Sequence, residues 1–204
     1  MGSDRPEVLD WSVAAKPFPG EIDSGDDAVV APLPDGALVA AVDGLGHGAA
    51  AAHAAARAVE LLRTHATEPL VLLVNRCHEA LKGTRGAAMS VARFCVRDDT
   101  MTWLGVGNVE GRLVRGRNGH PSNETLIVPG GAAGFQLQRL RTETHDVQPG
   151  DTLVLATDGI DFRFADSLDV IGSADEIATG ILREHARPND DALVLVARYL
   201  GPVS

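Results

Sequence analysis

Ala37-Leu38-Val39-Ala40-Ala41-Val42-Asp43-Gly44-Leu45-Gly46-His47-Gly48 is an apolar run that stops on a carboxylate and passes into alternating glycines. An alanine-rich stretch follows. The apolar part has the length of one strand buried on both faces. Glycines after Asp43 let other atoms approach the backbone closely. A carboxylate at a strand end in that setting suits a hard cation with oxygen ligands. The question is which further carboxylates can join it.

Immediately upstream, Asp26-Asp27 precedes Ala28-Val29-Val30-Ala31, and Pro32-Leu33-Pro34-Asp35-Gly36 supplies turn chemistry. The two apolar runs are therefore expected to pair as a hairpin. Such a hairpin brings Asp26 and Asp27 to the sheet end where Asp43 stands. Before it, residues 8–15 read as a first strand, broken at Lys16-Pro17-Phe18-Pro19-Gly20.

Downstream, 49–65 is alanine-rich and helical. Leu70, Leu73, Val74, Cys77 and Leu81 recur with helical spacing, which predicts a second amphipathic helix over 69–82. Strands are expected at 87–96, 101–106, 111–114 and 125–128, with a turn at 115–123 and a loop at 129–134. Residues 141–147 and 152–156 read as a hairpin about the turn Gln148-Pro149-Gly150-Asp151, ending on Asp158-Gly159. A last helix at 175–186, a loop at 187–191 and a buried strand at 192–198 complete the chain. Roughly ten strands with helices early and late predict a layered α+β fold rather than alternating βαβ units.

The chain has 204 residues, 45% of them hydrophobic and 23% charged, which fits one globular domain with a substantial core. A net charge of -10 disfavours nucleic acid or an anionic membrane as partner. No apolar run reaches the length of a membrane span, and the N-terminus has no signal-peptide core, so a cytoplasmic location is expected. Cys77 and Cys95 lie in apolar patterns and form neither a disulfide framework nor a zinc motif.

Four acidic spots share one local pattern, a carboxylate at the start or end of an apolar strand: Asp26-Asp27, Asp43-Gly44, Asp158-Gly159 and Asp190-Asp191. Clustered carboxylates repel unless protons or cations neutralise them. Mg²⁺ or Mn²⁺ in hard-oxygen sites does so. With one aspartate bridging, two cations about 3.5–4 Å apart can hold a hydroxide for in-line attack on phosphorus.

Taken together, Ser24-Gly25-Asp26-Asp27, Val42 to Gly48, Arg85-Gly86-Ala87-Ala88, Gly105-Val106-Gly107-Asn108, Gly150 to Ile160 and Asn189-Asp190-Asp191 resemble the PPM (type 2C, PP2C-like) metal-dependent protein phosphatases. The similarity lies with the sporulation-protein-E branch and its short stand-alone RsbX-type stress regulators. It implies two packed antiparallel β-sheets flanked by helices, in a single PP2C-like domain over 1–204 with its core at about 8–200. It implies that Asp43 bridges two Mn²⁺ or Mg²⁺ ions and that the Gly44 carbonyl binds one of them. Asp158 and Asp190 would bind the other, with Asp191 beside Asp190, and Asp26 or Asp27 would act through water. The implied partner is a phosphorylated regulatory protein, such as a stressosome or sigma-factor partner-switching component. The enzyme would be a monomer or weak homo-oligomer.

Three positions depart from the animal and plant members. Ile22 stands where they place a phosphate-holding arginine, Leu45 where they place a histidine, and Phe162 where some carry a third-metal acid, with Asp161 one residue short. His47 is a candidate general acid for the departing Ser or Thr oxygen. His53, His65, His78, His120, His145 and His185 show no ligand spacing. Two rival readings differ in class. One is a catalytically weak phosphatase fold serving as a binding module. The other is a nucleotide-binding module using the Gly44-Gly46-Gly48 loop, since Gly44-Leu45-Gly46-His47-Gly48-Ala49 fits a G-x-G-x-x-[GA] pattern. Asp43 beside a pyrophosphate counts against the second, as does the helical pattern of the next apolar segment.

Overall fold

The computed structural model describes residues 8–115, 122–128 and 130–202. In chain order the strands are β1 (Leu9–Lys16), β2 (Asp26–Leu33), β3 (Gly36–Gly44), β4 (Ala87–Cys95), β5 (Thr100–Val106), β6 (Glu110–Arg115), β7 (Ser122–Leu126), β8 (Gly131–Ala132), β9 (Gln136–Leu137), β10 (Glu143–Asp146), β11 (Thr152–Ala156) and β12 (Ala192–Tyr199). Helices α1 (Ala49–Thr64) and α2 (Leu70–Leu81) follow β3, and α3 (Ala174–His185) precedes β12. A 3₁₀ helix spans Phe162–Ser167.

Two five-stranded antiparallel sheets form the centre. One runs β1-β12-β11-β6-β7 and the other β10-β5-β4-β3-β2, with β8 and β9 as a separate short ribbon. Strand β3 lies inside the second sheet and is buried along its whole length. Its side chains alternate between two cores, as the period of a strand requires. Leu38, Ala40 and Val42 pack with Leu62, Leu73 and Cys77 of α1 and α2. Ala37, Val39 and Ala41 pack with Leu153, Leu155, Leu193 and Leu195 of the first sheet. A third core joins Val154, Val194 and Val196 to Ala178 and Ile181 of α3. The layers are thus helices, sheet, sheet, helix. Each fully buried large aliphatic side chain contributes about 1.5–3 kcal/mol relative to exposure.

The helices begin in different ways. Helix α3 opens on a reciprocal capping box between Ser173 and Glu176, a device that satisfies two orphan N–H groups. Helix α1 opens on Gly48 with no side-chain cap. No helix among the described residues is long and apolar enough to cross a membrane.

The β2–β3 hairpin has the expected pairing, but β2 starts earlier than the apolar pattern indicates, at Asp26 itself. The other expected hairpin is corrected. β10 pairs with β5 in the second sheet, whereas β11 pairs with β12 and β6 in the first. The turn at Gln148–Asp151 therefore carries the chain between layers. Buried Asp151 holds it there, accepting hydrogen bonds from Gln148 N and Arg115 Nη1, while Gly150 N donates to Tyr199 O. The expected loop at 129–134 contains β8, and Ala133 exchanges backbone hydrogen bonds with Ala87. Pro129, residues 116–121 of the expected turn, and His120 within it lie outside the described residues.

Candidate metal centre

The hairpin register sets the site. Asp26 on β2 stands directly opposite Asp43 on β3, and residues opposite one another share a face. Both continue the alternation that faces the first sheet, and both are buried, at 8% and 7% exposure. From that first sheet, Asp158 follows the end of β11 and Asp190-Asp191 precede β12, its antiparallel neighbour. The four acidic spots thus reach one end of the sandwich from both layers. Asp26, Asp43, Asp158, Asp190 and Asp191 line a cleft of about 270 Å³ with Phe18, Leu45, Gly46, His47, Asn108 and Asn189.

Asp27 is corrected. Being one residue on, it pairs with Val42 and shares the helix-facing side of the sheet. It accepts a hydrogen bond from Ala28 N, feels the charge of Arg63 on α1, and is absent from the cleft lining.

Polar partners fix the remaining geometry. Thr157 Oγ1 donates to Asp26 Oδ2 at 2.7 Å and accepts from Leu193 N at 2.9 Å. Asn108 Nδ2 donates to Asp158 Oδ2 at 2.6 Å. Asp191 Oδ1 accepts from Phe18 N at 2.8 Å, while its buried Oδ2 has no hydrogen-bond partner among the described residues. Gly44 N donates to Gly25 O, and a side chain at Gly44 would place Cβ 2.2 Å from Ala51 O. Only glycine lets the end of β3 lie this close to α1.

Burial and mutual repulsion raise the carboxyl pKa values. Asp26 is pushed up to about 7, mainly by burial, with added repulsion from Asp191, Asp158 and Asp190 against the opposing Thr157 hydrogen bond. Asp43 is pushed up to about 8 by burial first, then by Asp26 and Asp158. Asp190 is raised by burial and by Asp158. Such a cluster takes up either protons or cations. Its donors are all hard oxygens, and Asp191 Oδ2 adds a buried carboxylate oxygen with no hydrogen-bond partner among the described residues. The donor set therefore fits a divalent cation, although among the described residues no three His, Cys, Asp or Glu side chains are gathered tightly enough to hold one as they stand.

Residues 34–200 of this chain match the family model "Stage II sporulation protein E (SpoIIE)". The chain belongs to the SpoIIE family. Phosphoserine phosphatase RsbX of Bacillus subtilis (strain 168) is 29% identical over 123 residues. That match spans 60% of this chain and 60% of the relative. A solved chain from work on the bacterial stressosome, described as a modular system adapted to control secondary messenger signalling, is 28% identical with a TM-score of 0.85. It covers 94% of this chain and 100% of its own. RsbX in complex with magnesium superimposes with a TM-score of 0.85 at 22% identity, covering 96% of this chain and 97% of that one. The PP2C phosphatase domain of SpoIIE from Bacillus subtilis superimposes with a TM-score of 0.77 at 18% identity, covering 96% of this chain and 64% of that one, so the fold here is PP2C-like.

Within this SpoIIE-family cleft, His47 lies at the rim, with Nδ1 2.6 Å from Glu21 Oε1 and its ring stacked on Phe18. Arg85 approaches the same loop, since a Cβ on Gly46 would lie 2.8 Å from Arg85 Nη1. Ile22 is 96% exposed. Asp161 is occupied by Arg163, which holds its carboxyl well below the usual carboxylate range. The β3–α1–α2–β4 connection joins antiparallel neighbours, so the glycine loop belongs to no parallel crossover of the dinucleotide-binding kind. Sequence reasoning missed Asn108, Thr157, Phe18, Glu21 and Arg85 as cleft partners. Asn108, Thr157 and Arg85 carried a signal, because all three lie in stretches shared with the phosphatases.

Proposed function

We propose that this protein is a divalent-cation-dependent protein serine/threonine phosphatase. The observation that carries the reading is the convergence of Asp26 and Asp43 from one sheet with Asp158 and Asp190 from the other, all on a single cleft. Asp43, Asp158 and Asp190 would hold Mn²⁺ or Mg²⁺, with the Gly44 carbonyl as a further ligand and Asp26 behind them. Bound there, the cations would offset the carboxylate charge and activate water for attack on phosphorus.

The chain's own residues supply the rest. Asn108 orients Asp158 and Thr157 orients Asp26 through the hydrogen bonds described. Arg85, which makes no ion pair or hydrogen bond among the described residues, is the guanidinium beside the Gly46 rim and takes the phosphate-holding role that Ile22 cannot. His47, which lines the same cleft, would give the departing alcohol its proton.

The likeness to a phosphoserine phosphatase and to a stressosome chain supports a phosphorylated regulatory protein as substrate. A cytoplasmic monomer or weak homo-oligomer fits this role. The test is Mn²⁺- or Mg²⁺-dependent release of phosphate from phosphoserine peptides by the natural chain and by Asp43→Asn. The variant is expected to keep its fold and lose most turnover. Normal turnover by Asp43→Asn would refute the site, and cation binding without any turnover would favour a regulatory binding module.

A further inference from the structure

The segment between β1 and β2 has no strand or helix of its own, yet it is tightly fastened over one side of the cleft. Phe18 N donates to Asp191 Oδ1 at 2.8 Å, and Phe18 O accepts from Glu21 N at 3.0 Å. From this short turn, two side chains grip the same imidazole. Glu21 Oε1 lies 2.6 Å from His47 Nδ1, and the Phe18 ring stacks on the His47 ring with centroids 4.3 Å apart and planes 16° from parallel.

Gly48 leaves room for the clamp. Its φ of +76° is in the left-handed region, and a Cβ there would lie 2.4 Å from Glu21 Oε2. The side chains of His47 and Glu21 are 55% and 28% exposed, and ion pairs so exposed add little to stability. What the arrangement does control is orientation. With Nδ1 committed to Glu21, the other ring nitrogen, Nε2, is left without a partner among the described residues, on a side chain that lines the cleft.

We propose that Glu21 and Phe18 are positioning residues that hold His47 so that Nε2 protonates the seryl or threonyl oxygen leaving the substrate phosphate. This role rests on the phosphatase reading above. Water forms the new P–O bond as the P–O bond to the amino-acid side chain breaks, and the electron pair of the broken bond goes to the leaving oxygen. That oxygen takes the proton from Nε2, the attacking water gives its own proton to solvent, and the ring is reprotonated from solvent. Before transfer the ring carries a proton on each nitrogen; Glu21 accepts from Nδ1–H throughout, so the proton that leaves is the one on Nε2, and the neutral ring is left in the Nδ1–H tautomer.

The experiment compares two substrates at saturating Mn²⁺. A phosphoserine peptide releases an alcohol that needs a proton, whereas p-nitrophenyl phosphate releases a phenolate stable without one. Glu21→Ala is expected to lower kcat on the peptide about tenfold more than on p-nitrophenyl phosphate, a fraction of the full effect of a general acid. Glu21→Gln, which keeps an acceptor for Nδ1, is expected to recover part of the difference. Adding Glu21→Ala to His47→Asn should cost nothing further on the peptide. Independently of turnover, long-range ¹H–¹⁵N spectra of the cation-free protein should place the proton of neutral His47 on Nδ1 in the natural chain and distribute it over both nitrogens in Glu21→Ala. Equal losses on the two substrates, additive losses in the double variant, or an unchanged tautomer would each overturn the positioning role. If the natural chain turns over neither substrate with Mn²⁺ or Mg²⁺, the phosphatase reading falls, and the role assigned here falls with it.

Discussion

Thr157 Oγ1 donates a 2.7 Å hydrogen bond to Asp26 Oδ2, tying the end of β11 in one sheet to the start of β2 in the other. The same hydroxyl accepts from Leu193 N, so one buried oxygen serves both the sheet seam and the candidate metal centre. Thr157→Val keeps the shape and removes the hydroxyl, leaving a buried carboxylate oxygen and a buried N–H unpaired. The expected loss is roughly 1–3 kcal/mol, read as a fall of several degrees in Tm, with weaker Mn²⁺ binding by calorimetry.

The raised carboxyl pKa values give the cation-free protein a definite pH response. Asp26 and Asp43 sit at about 7 and about 8 against an ordinary 3.8. The folded chain therefore binds more protons than the unfolded chain across that interval. Their contribution to stability is complete below the unfolded value and is lost as pH rises through the folded values. In a chelator, Tm is expected to decline from about pH 4 to pH 8. Adding Mn²⁺ should restore most stability at the upper end, where the carboxylates are free of protons.

Gly44→Ala probes the approach of β3 to α1. A methyl there would lie 2.2 Å from Ala51 O and 3.0 Å from Gly25 O. Both are backbone atoms and cannot swing aside. The overpacking should cost about 3 kcal/mol, measured as a lower denaturant midpoint, and Mn²⁺ affinity should fall because Asp43 moves with its neighbour.

Arg85→Ala should act on substrate rather than on fold. The guanidinium is exposed and makes no ion pair or hydrogen bond among the described residues, so its removal leaves stability unchanged. If it holds the phosphate, a charge-assisted hydrogen bond is lost, and kcat/KM for a phosphopeptide should drop on the order of tenfold. Mn²⁺ affinity should not change. Unaltered kinetics would move the phosphate-holding role elsewhere on the rim.

Much of the site could be read before any coordinates, for a local reason. The two-residue turn Pro34-Asp35 determines every pair along β2 and β3, and through it the meeting of Asp26 with Asp43. Strand-end position similarly marked Asp158 and Asp190. The choice between Asp26 and Asp27 was harder, because adjacent residues on a strand differ only in face and β2 begins before its apolar run. Phe18 and Asp191 are separated by 173 residues, and Glu21 and His47 by 26. Neither pair has a periodic pattern to announce it. The turn at Gln148–Asp151 misled for a related reason. Its Pro-Gly chemistry specifies a reversal of direction, while the choice of sheet rests on Asp151 and its distant anchors Arg115 and Tyr199.

The acidic groups are divided between two separately hydrogen-bonded layers, with Asp26 and Asp43 on one and Asp158, Asp190 and Asp191 on the other. If the chain is the phosphatase proposed above, turnover becomes a gauge of how the sandwich is seated: a slip of one layer over its mate, too slight to melt either, would spread these carboxylates and silence it. On warming, hydrolysis should fade before circular dichroism registers any loss of strand.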